Sequence, residues 1–360
     1  MKIGIDMQST CGKKTGIGYY AKNLVDRLKK SCGHELLCYS GSGKDELNTL
    51  ERMRWENLKL PSMLNKDKVD LLHIPGFAGP IMKAKFKKIT TVCDLIGMIY
   101  PQNMGLFSRF YWQKWLPKCV KNSDFIIAIS NHTKLDIMNL LGIPEEKIRV
   151  ILLAADSRFV PINDDNALSQ IRVKYGLPKN FVLTVSTIEP RKNICGLIKA
   201  FSNYICENRD SKLCLVIAGQ KSWGYLQAYE LVKELNAEGK IMFTDYIEDE
   251  DLPYIYNLAE FFVYPSFYEG FGLPVLEALS CGKAVISSNT SSLPEVTGEA
   301  AILVDPNEVG QLQGAIKKLD TDGKLREELS DKALCQARKF SWENTAKSTL
   351  NVYEEVLNEA

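Results

Sequence analysis

The chain has 360 residues, too many for one ordinary core and suited to two domains of about 150 residues each. Hydrophobic content of 45% and charged content of 25% are those of a soluble globular protein, and no run reaches the roughly 18 consecutive apolar residues of a membrane span. The net charge of +1 conceals an asymmetry: residues 1–160 carry 25 Lys/Arg against 15 Asp/Glu and residues 161–360 carry 20 against 29, so a basic half is joined to an acidic one.

From the N-terminus, Met1-Lys2-Ile3-Gly4-Ile5-Asp6 reads as a first buried strand and lacks the apolar core of a signal peptide. Gly16-Ile17-Gly18-Tyr19-Tyr20-Ala21 matches the dinucleotide fingerprint G-x-G-x-x-A and supports a rival reading as an NAD-dependent oxidoreductase. The match is weak, because it starts eight residues after Gln8 and the second strand closes on Tyr39-Ser40 without a ribose-binding acid. Further strands are expected at Glu35–Tyr39, Leu71–Ile74, Ile89–Val92, Phe125–Ile129 and Val150–Leu153, with helices at Tyr19–Lys30 and Phe107–Lys121. Lys83, Lys85, Lys87 and Lys88 form a candidate basic patch, and Met104–Leu116 mixes aromatics with cations, as a core-backed surface helix or an interfacial one. The polar stretch 156–166 is the expected linker, giving domains at 1–160 and 161–340.

The second half repeats the pattern, with strands at Phe181–Ser186, Leu213–Ala218, Ile241–Thr244, Phe261–Tyr264, Ala284–Ser287 and Ala301–Val304. Strand and helix alternate throughout, so the fold class is α/β with two Rossmann-like domains. Residues 341–360 read as an amphipathic helix, N-capped by Ser341, that packs back on the first domain. Ten cysteines without a C-x-x-C pair imply free thiols in a reducing cytoplasm, with Cys38, Cys93 and Cys214 as small core residues. Asp249-Glu250-Asp251 has the D-x-D form of a metal motif but precedes Leu252-Pro253, where helix capping by Asp251 is the better reading. None of the three histidines has metal-ligand spacing with another, so no metal and no cofactor are expected, nor is a nucleic-acid partner.

Two segments carry chemistry. In Tyr264-Pro265-Ser266-Phe267-Tyr268-Glu269-Gly270-Phe271-Gly272-Leu273-Pro274-Val275-Leu276-Glu277, a strand runs through a glycine loop into a helix whose first turn holds Pro274. Glu269 then lies at a strand's carboxyl end and Glu277 in the helix's first turn, where the dipole keeps a carboxylate ionised. Such carboxylates accept hydrogen bonds from sugar and ribose hydroxyls; alternatively Glu277 is a helix-start charge and Glu269 a solvated loop residue. In Glu189-Pro190-Arg191-Lys192-Asn193, two cations sit at a helix start against the dipole, a conflict relieved if a diphosphate lies between them and the helix amides.

These two segments, with Ala128-Ile129-Ser130, Phe243-Thr244-Asp245-Tyr246, Leu293-Pro294-Glu295-Val296 and the glycine loop after the first strand, resemble family 4 of the retaining glycosyltransferases of GT-B fold. The short Glu-Pro-Arg-Lys-Asn form and Ser222-Trp223-Gly224 are most similar to bacterial mannosyltransferases that use GDP-mannose. The resemblance implies two facing domains and a hexose passed to a glycan or lipid-linked acceptor in cell-surface polysaccharide synthesis, with peripheral contact at the inner membrane face. It implies catalytic roles for Glu269, Asp94, Arg191 and Lys192. It implies donor contacts from Glu277, Arg191, Lys192, Gly16, Gly18, Gly270, Phe271, Gly272, Leu273 and Ile247, with Lys13 or Lys14 near the phosphate. Cys93 precedes Asp94 where related enzymes often have His, which bears on the sugar. A subunit that kept the fold and lost activity is the remaining alternative.

Overall fold

Two sheets of six parallel strands organise the chain, described by a computed structural model over residues 1–11, 16–41, 47–76, 78–81 and 85–358, without the side chain of Asn103. The first sheet has β1 (Lys2–Asp6), β2 (Glu35–Tyr39), β3 (Leu71–Pro75), β4 (Lys87–Val92), β5 (Phe125–Ala128) and β6 (Ile148–Val150), in spatial order β2-β1-β3-β4-β5-β6. The last strand ends earlier than the apolar run Val150–Leu153 implied. After Ile151 N–H bonds Ala128, Leu152 turns its carbonyl to the Thr345 hydroxyl at 2.7 Å.

The chain divides into one compact unit of Met1–Ala154 with Ser341–Ala360 and another of Ala155–Phe340. The division falls before residue 160 because Asp156–Asn163 is tied to the second unit. Arg158 donates to the Asp249 carbonyl at 2.8 Å, Ile162 N–H to Asn257 at 2.9 Å, and Phe159 packs edge-on against Tyr256. The C-terminal helix, Trp342–Asn358, lies within the first unit, with Ser341 Oγ accepting from Asn344 N–H at 3.1 Å. Trp342 stacks on Tyr20, and Tyr353 meets the ring of His73 at 2.6 Å. His73 lies inside β3, its other nitrogen 2.8 Å from Thr91 Oγ1, and burial lowers its pKa to about 3, so the imidazole is neutral.

Gly16 and Gly18 do not form a loop: they open the helix Gly16–Ser31. A Cβ on Gly18 would come 2.5 Å from the Ser9 carbonyl oxygen, so close backbone packing explains that glycine without a dinucleotide. Lys13 and Lys14 lie outside the described residues.

The helix expected at Phe107–Lys121 is three joined pieces: Leu106–Phe110, a π-turn at Tyr111–Trp115, and Leu116–Lys121. The segment before β3 is built alike, with Thr49–Arg54, a π-turn at Trp55–Lys59, then Leu60–Asp67. Both π-turns run into Leu-Pro, at Leu60-Pro61 and Leu116-Pro117. Proline lacks an N–H and its ring crowds the carbonyl four residues back, so the helix widens by one residue. Leu60 and Leu116 N–H accordingly bond Trp55 and Tyr111, five residues earlier.

The expected lysine patch is taken apart by strand geometry. Lys88 is 5% exposed, its Nζ donating to the Pro80 carbonyl at 2.8 Å; Lys87 is 3.9 Å from Asp124; and Lys83 lies outside the described residues. The cysteine reading also needs correction. Cys38 is exposed on edge strand β2 and Cys93 and Cys214 are half-buried, whereas Cys119 and Cys281 are buried; all ten are free thiols.

The second sheet has β7 (Phe181–Val185), β8 (Cys214–Ala218), β9 (Ile241–Asp245), β10 (Phe261–Tyr264), β11 (Val285–Ser288) and β12 (Ala301–Val304), in order β12-β11-β10-β7-β8-β9. The chain builds outward from β7 through β8 and β9, then returns to the other side with β10. The order therefore reverses between β7 and β10, where ligands of open α/β sheets bind beyond the strands' carboxyl ends.

Candidate donor site

The loops that follow β7 and β10 meet at that reversal. The first forms the 3-10 turn Pro190–Lys192, and Asn193 at φ 55° turns the chain into the helix Ile194–Glu207. The second runs to Gly272, whose φ of 105° is a glycine conformation, and enters the helix Leu273–Ser280. A Cβ on Gly272 would meet Leu293 at 2.7 Å, so the loop needs glycine twice over.

Glu269, 9% exposed, joins the two loops. Its Oε1 accepts from Lys192 Nζ at 2.6 Å, Arg191 Nη1 at 3.0 Å and Tyr264 OH at 3.1 Å. Arg191 also donates to the Tyr268 carbonyl at 2.8 Å and to Glu189 at 2.5 Å, and its own carbonyl accepts from Phe267 N–H at 2.9 Å. The Thr290–Ser292 turn after β11 holds the loop from behind: Ser291 Oγ accepts from Glu269 N–H at 3.0 Å, and Ser292 Oγ donates to the Glu269 and Phe271 carbonyls. Burial alone would raise Glu269, but Lys192 and Arg191 hold its carboxyl below the ordinary value. Burial pulls Lys192 down, only partly offset by Glu269. The conflict of Arg191 and Lys192 with the helix start is thus met inside the protein, by Glu269 and Glu189.

Glu277 occupies a different environment. The helix begins at Leu273, so Glu277 lies beyond its first turn and misses the dipole stabilisation expected of it. It is half-buried, accepts one hydrogen bond from Tyr256 OH at 2.9 Å, and burial pushes its carboxyl up to about 7, with Tyr256 and the Arg158 charge opposing.

The structure thus brings Glu269, Arg191 and Lys192 into one network and sets Gly270, Phe271, Gly272, Leu273 and Glu277 along the same loop and helix. Phe271 is buried edge-on against Phe340. Ile247 is buried past the end of β9, two strands from β7. Gly16, Gly18 and Asp94 belong to the first unit, where Asp94 accepts from Ile96 N–H at 3.0 Å.

Sequence reasoning missed Glu189, Tyr264, Tyr256, Arg158 and the Ser291-Ser292 support. The run Asn289-Thr290-Ser291-Ser292 after β11 was a signal for the last of these. It missed also that Asp6, at the tip of β1, is buried against Trp55 Nε1 with its carboxyl raised to about 6, next to the buried Glu56–Tyr111 pair. Asp251 gives its helix no side-chain cap; its carboxylate is taken instead by Lys174 at 2.5 Å and Tyr175 at 2.6 Å. Among the described residues no group of three His, Cys, Asp or Glu is placed to hold a metal ion, and no helix is long and apolar enough to cross a membrane.

Residues 14–158 match the model of Glycosyltransferase Family 4 and residues 169–334 that of Glycosyl transferases group 1. The chain is 39% identical over 285 residues to O-antigen chain mannosyltransferase B of Escherichia coli, an alignment that covers 79% of this chain and 74% of that one. The chain belongs to glycosyltransferase family 4. The transferase has the fold of sucrose-phosphate synthase from Thermosynechococcus elongatus, with a TM-score of 0.80 over the full length of both chains at 18% identity. It is similar likewise to WaaG, a glycosyltransferase of lipopolysaccharide biosynthesis, with a TM-score of 0.76 over 98% of this chain and 99% of that one at 13% identity. Both place its two six-stranded units in the GT-B class.

Proposed function

We propose that this transferase moves a mannosyl unit from GDP-mannose to a glycan or lipid-linked acceptor of a cell-surface polysaccharide, with retention of configuration. The observation that carries the reading is the Glu269–Arg191–Lys192 network at the β7/β10 reversal, in a chain 39% identical to a mannosyltransferase. Arg191 and Lys192 hold the diphosphate, and they neutralise it as it departs, with no need for a divalent ion. Glu277 accepts from the ribose hydroxyls, and Glu269 both positions the two cations and faces the transferred sugar. Gly270, Gly272 and Leu273 offer backbone amides at a helix start. The first unit takes the acceptor and meets the membrane that carries it.

Calorimetry with GDP, UDP and ADP, followed by slow hydrolysis of GDP-mannose read by NMR, tests this reading. GDP is expected to bind tightest and the released mannose to appear first as the α anomer. Preference for UDP would overturn the donor, and a β anomer would overturn retention.

A further inference from the structure

We propose that Glu189 is a counter-charge that acts through Arg191 to hold down the affinity of the donor site for its nucleoside diphosphate product. The inference rests on the reading of Arg191 and Lys192 as the diphosphate's partners and adds how the product gets away. Two cations that neutralise a departing diphosphate also retain it, and tight retention slows release.

Arg191 does not need Glu189 to be placed. Its guanidinium is anchored from the other side, with Nη1 donating to the Tyr268 carbonyl at 2.8 Å and to Glu269 at 3.0 Å. The backbone of the turn is likewise fixed without the Glu189 side chain. Ile188 N–H bonds Gln220, Ser222 N–H bonds Ile188, Lys192 N–H bonds the Glu189 carbonyl, and Phe267 N–H bonds the Arg191 carbonyl. What the Glu189 carboxylate adds is charge.

Arg191 and Lys192 converge on one oxygen of Glu269, so that pairing alone leaves one positive charge over. Glu189 Oε1 accepts from Arg191 Nη2 at 2.5 Å and brings the formal charge of the four groups to zero. All four side chains are 15% exposed or less, so water screens the carboxylate weakly and its charge reaches an anion that meets Arg191. The carboxylate also competes with phosphate oxygens for the guanidinium, whose fork suits both. It is kept in place by the turn after β8. Its other oxygen lies 3.5 Å from Ser222 Oγ, and the turn packs so closely that a Cβ on Gly224 would come 2.9 Å from the Pro190 ring.

Calorimetry with GDP on neutral and charged variants of Glu189 tests the proposal, with circular dichroism and urea unfolding to confirm the fold. Glu189→Gln keeps an oxygen for Arg191 and removes the charge, so GDP should bind about fivefold to tenfold tighter and leave correspondingly more slowly in stopped-flow. GMP, which carries less charge, should gain less. A second neutral variant, Glu189→Ser, should tighten GDP likewise. Glu189→Asp keeps the charge and should stay within about twofold of wild type. GDP affinity equal to or below wild type in either folded neutral variant overturns the proposal, and so does E189D binding as tightly as E189Q. Weaker GDP binding in R191A with no gain in E189Q sinks this inference alone; unchanged affinity in both also removes Arg191 from the donor site.

Discussion

Glu269 and Glu277 stand eight residues apart on one loop and helix, yet the protein treats them oppositely. Around Glu269 two cations and a tyrosine hydroxyl converge on one oxygen, so burial strengthens the pairing and the carboxylate stays ionised. Around Glu277 there is one tyrosine hydroxyl and a more distant guanidinium, so burial wins and the carboxyl titrates near neutrality. Burial by itself does not set the charge of a buried acid; the number of donors brought to it does. One region is a carboxylate held ionised by its two cations, the other an acceptor that ribose hydroxyls would supply with donors.

The contrast breaks most visibly at Glu269. Glu269→Ala leaves Lys192 buried without its anion and is expected to cost about 3–5 kcal/mol in urea unfolding. Adding Lys192→Met should return much of that loss, and additive losses in the double variant would mean that the two do not form one unit. Next in size, Glu277→Gln and Arg191→Ala should each weaken GDP binding by about 1.5–3 kcal/mol, as lost charge-assisted hydrogen bonds. Unchanged affinity in both would remove the donor-site assignment.

The pH dependence sharpens the comparison. Because the folded carboxyl of Glu277 is raised from 4.5 to about 7, its contribution to stability is full below 4.5 and disappears as pH rises through 7. Binding runs the other way, since only the ionised form accepts two hydroxyls: GDP affinity should rise about tenfold from pH 6 to pH 8. Glu277→Gln should flatten that part of both profiles; a wild-type slope retained in the variant would place the titration on another group. Tyr256→Phe should move the midpoint upward by about one pH unit or less, since it removes a donor that lowers Glu277. Smallest of all, a chelator should leave transfer unchanged; activity lost in a chelator and restored by magnesium would show that Arg191 and Lys192 do not suffice.

Much of the frame was legible because buried parallel strands leave unbroken apolar runs, as Phe261–Tyr264 and Phe125–Ala128 do. Arg191 and Lys192 were legible because they break a local preference at a helix start, and Glu269 because it follows a buried strand in a glycine loop. What escaped depends on three-dimensional placement. The lysines at 85, 87 and 88 look like a patch in one dimension, but Lys88 threads inward to a carbonyl. The helix begins at Leu273, too early for Glu277 to fall in its first turn, a shift no residue type announces. The partner that settles the charge of Arg191 is Glu269, far along the chain, and pairing at that distance has no local signal.

The return of residues 341–360 to the first unit makes the second unit an insertion within the sequence of the first. Residues 155–340 form one continuous stretch of chain, which carries the whole Glu269–Glu277 segment. The first unit has no such continuity. Cutting the chain at 340 removes Tyr353 from the ring of His73 and Glu355 from Arg149, so losing these late residues damages the first unit's core.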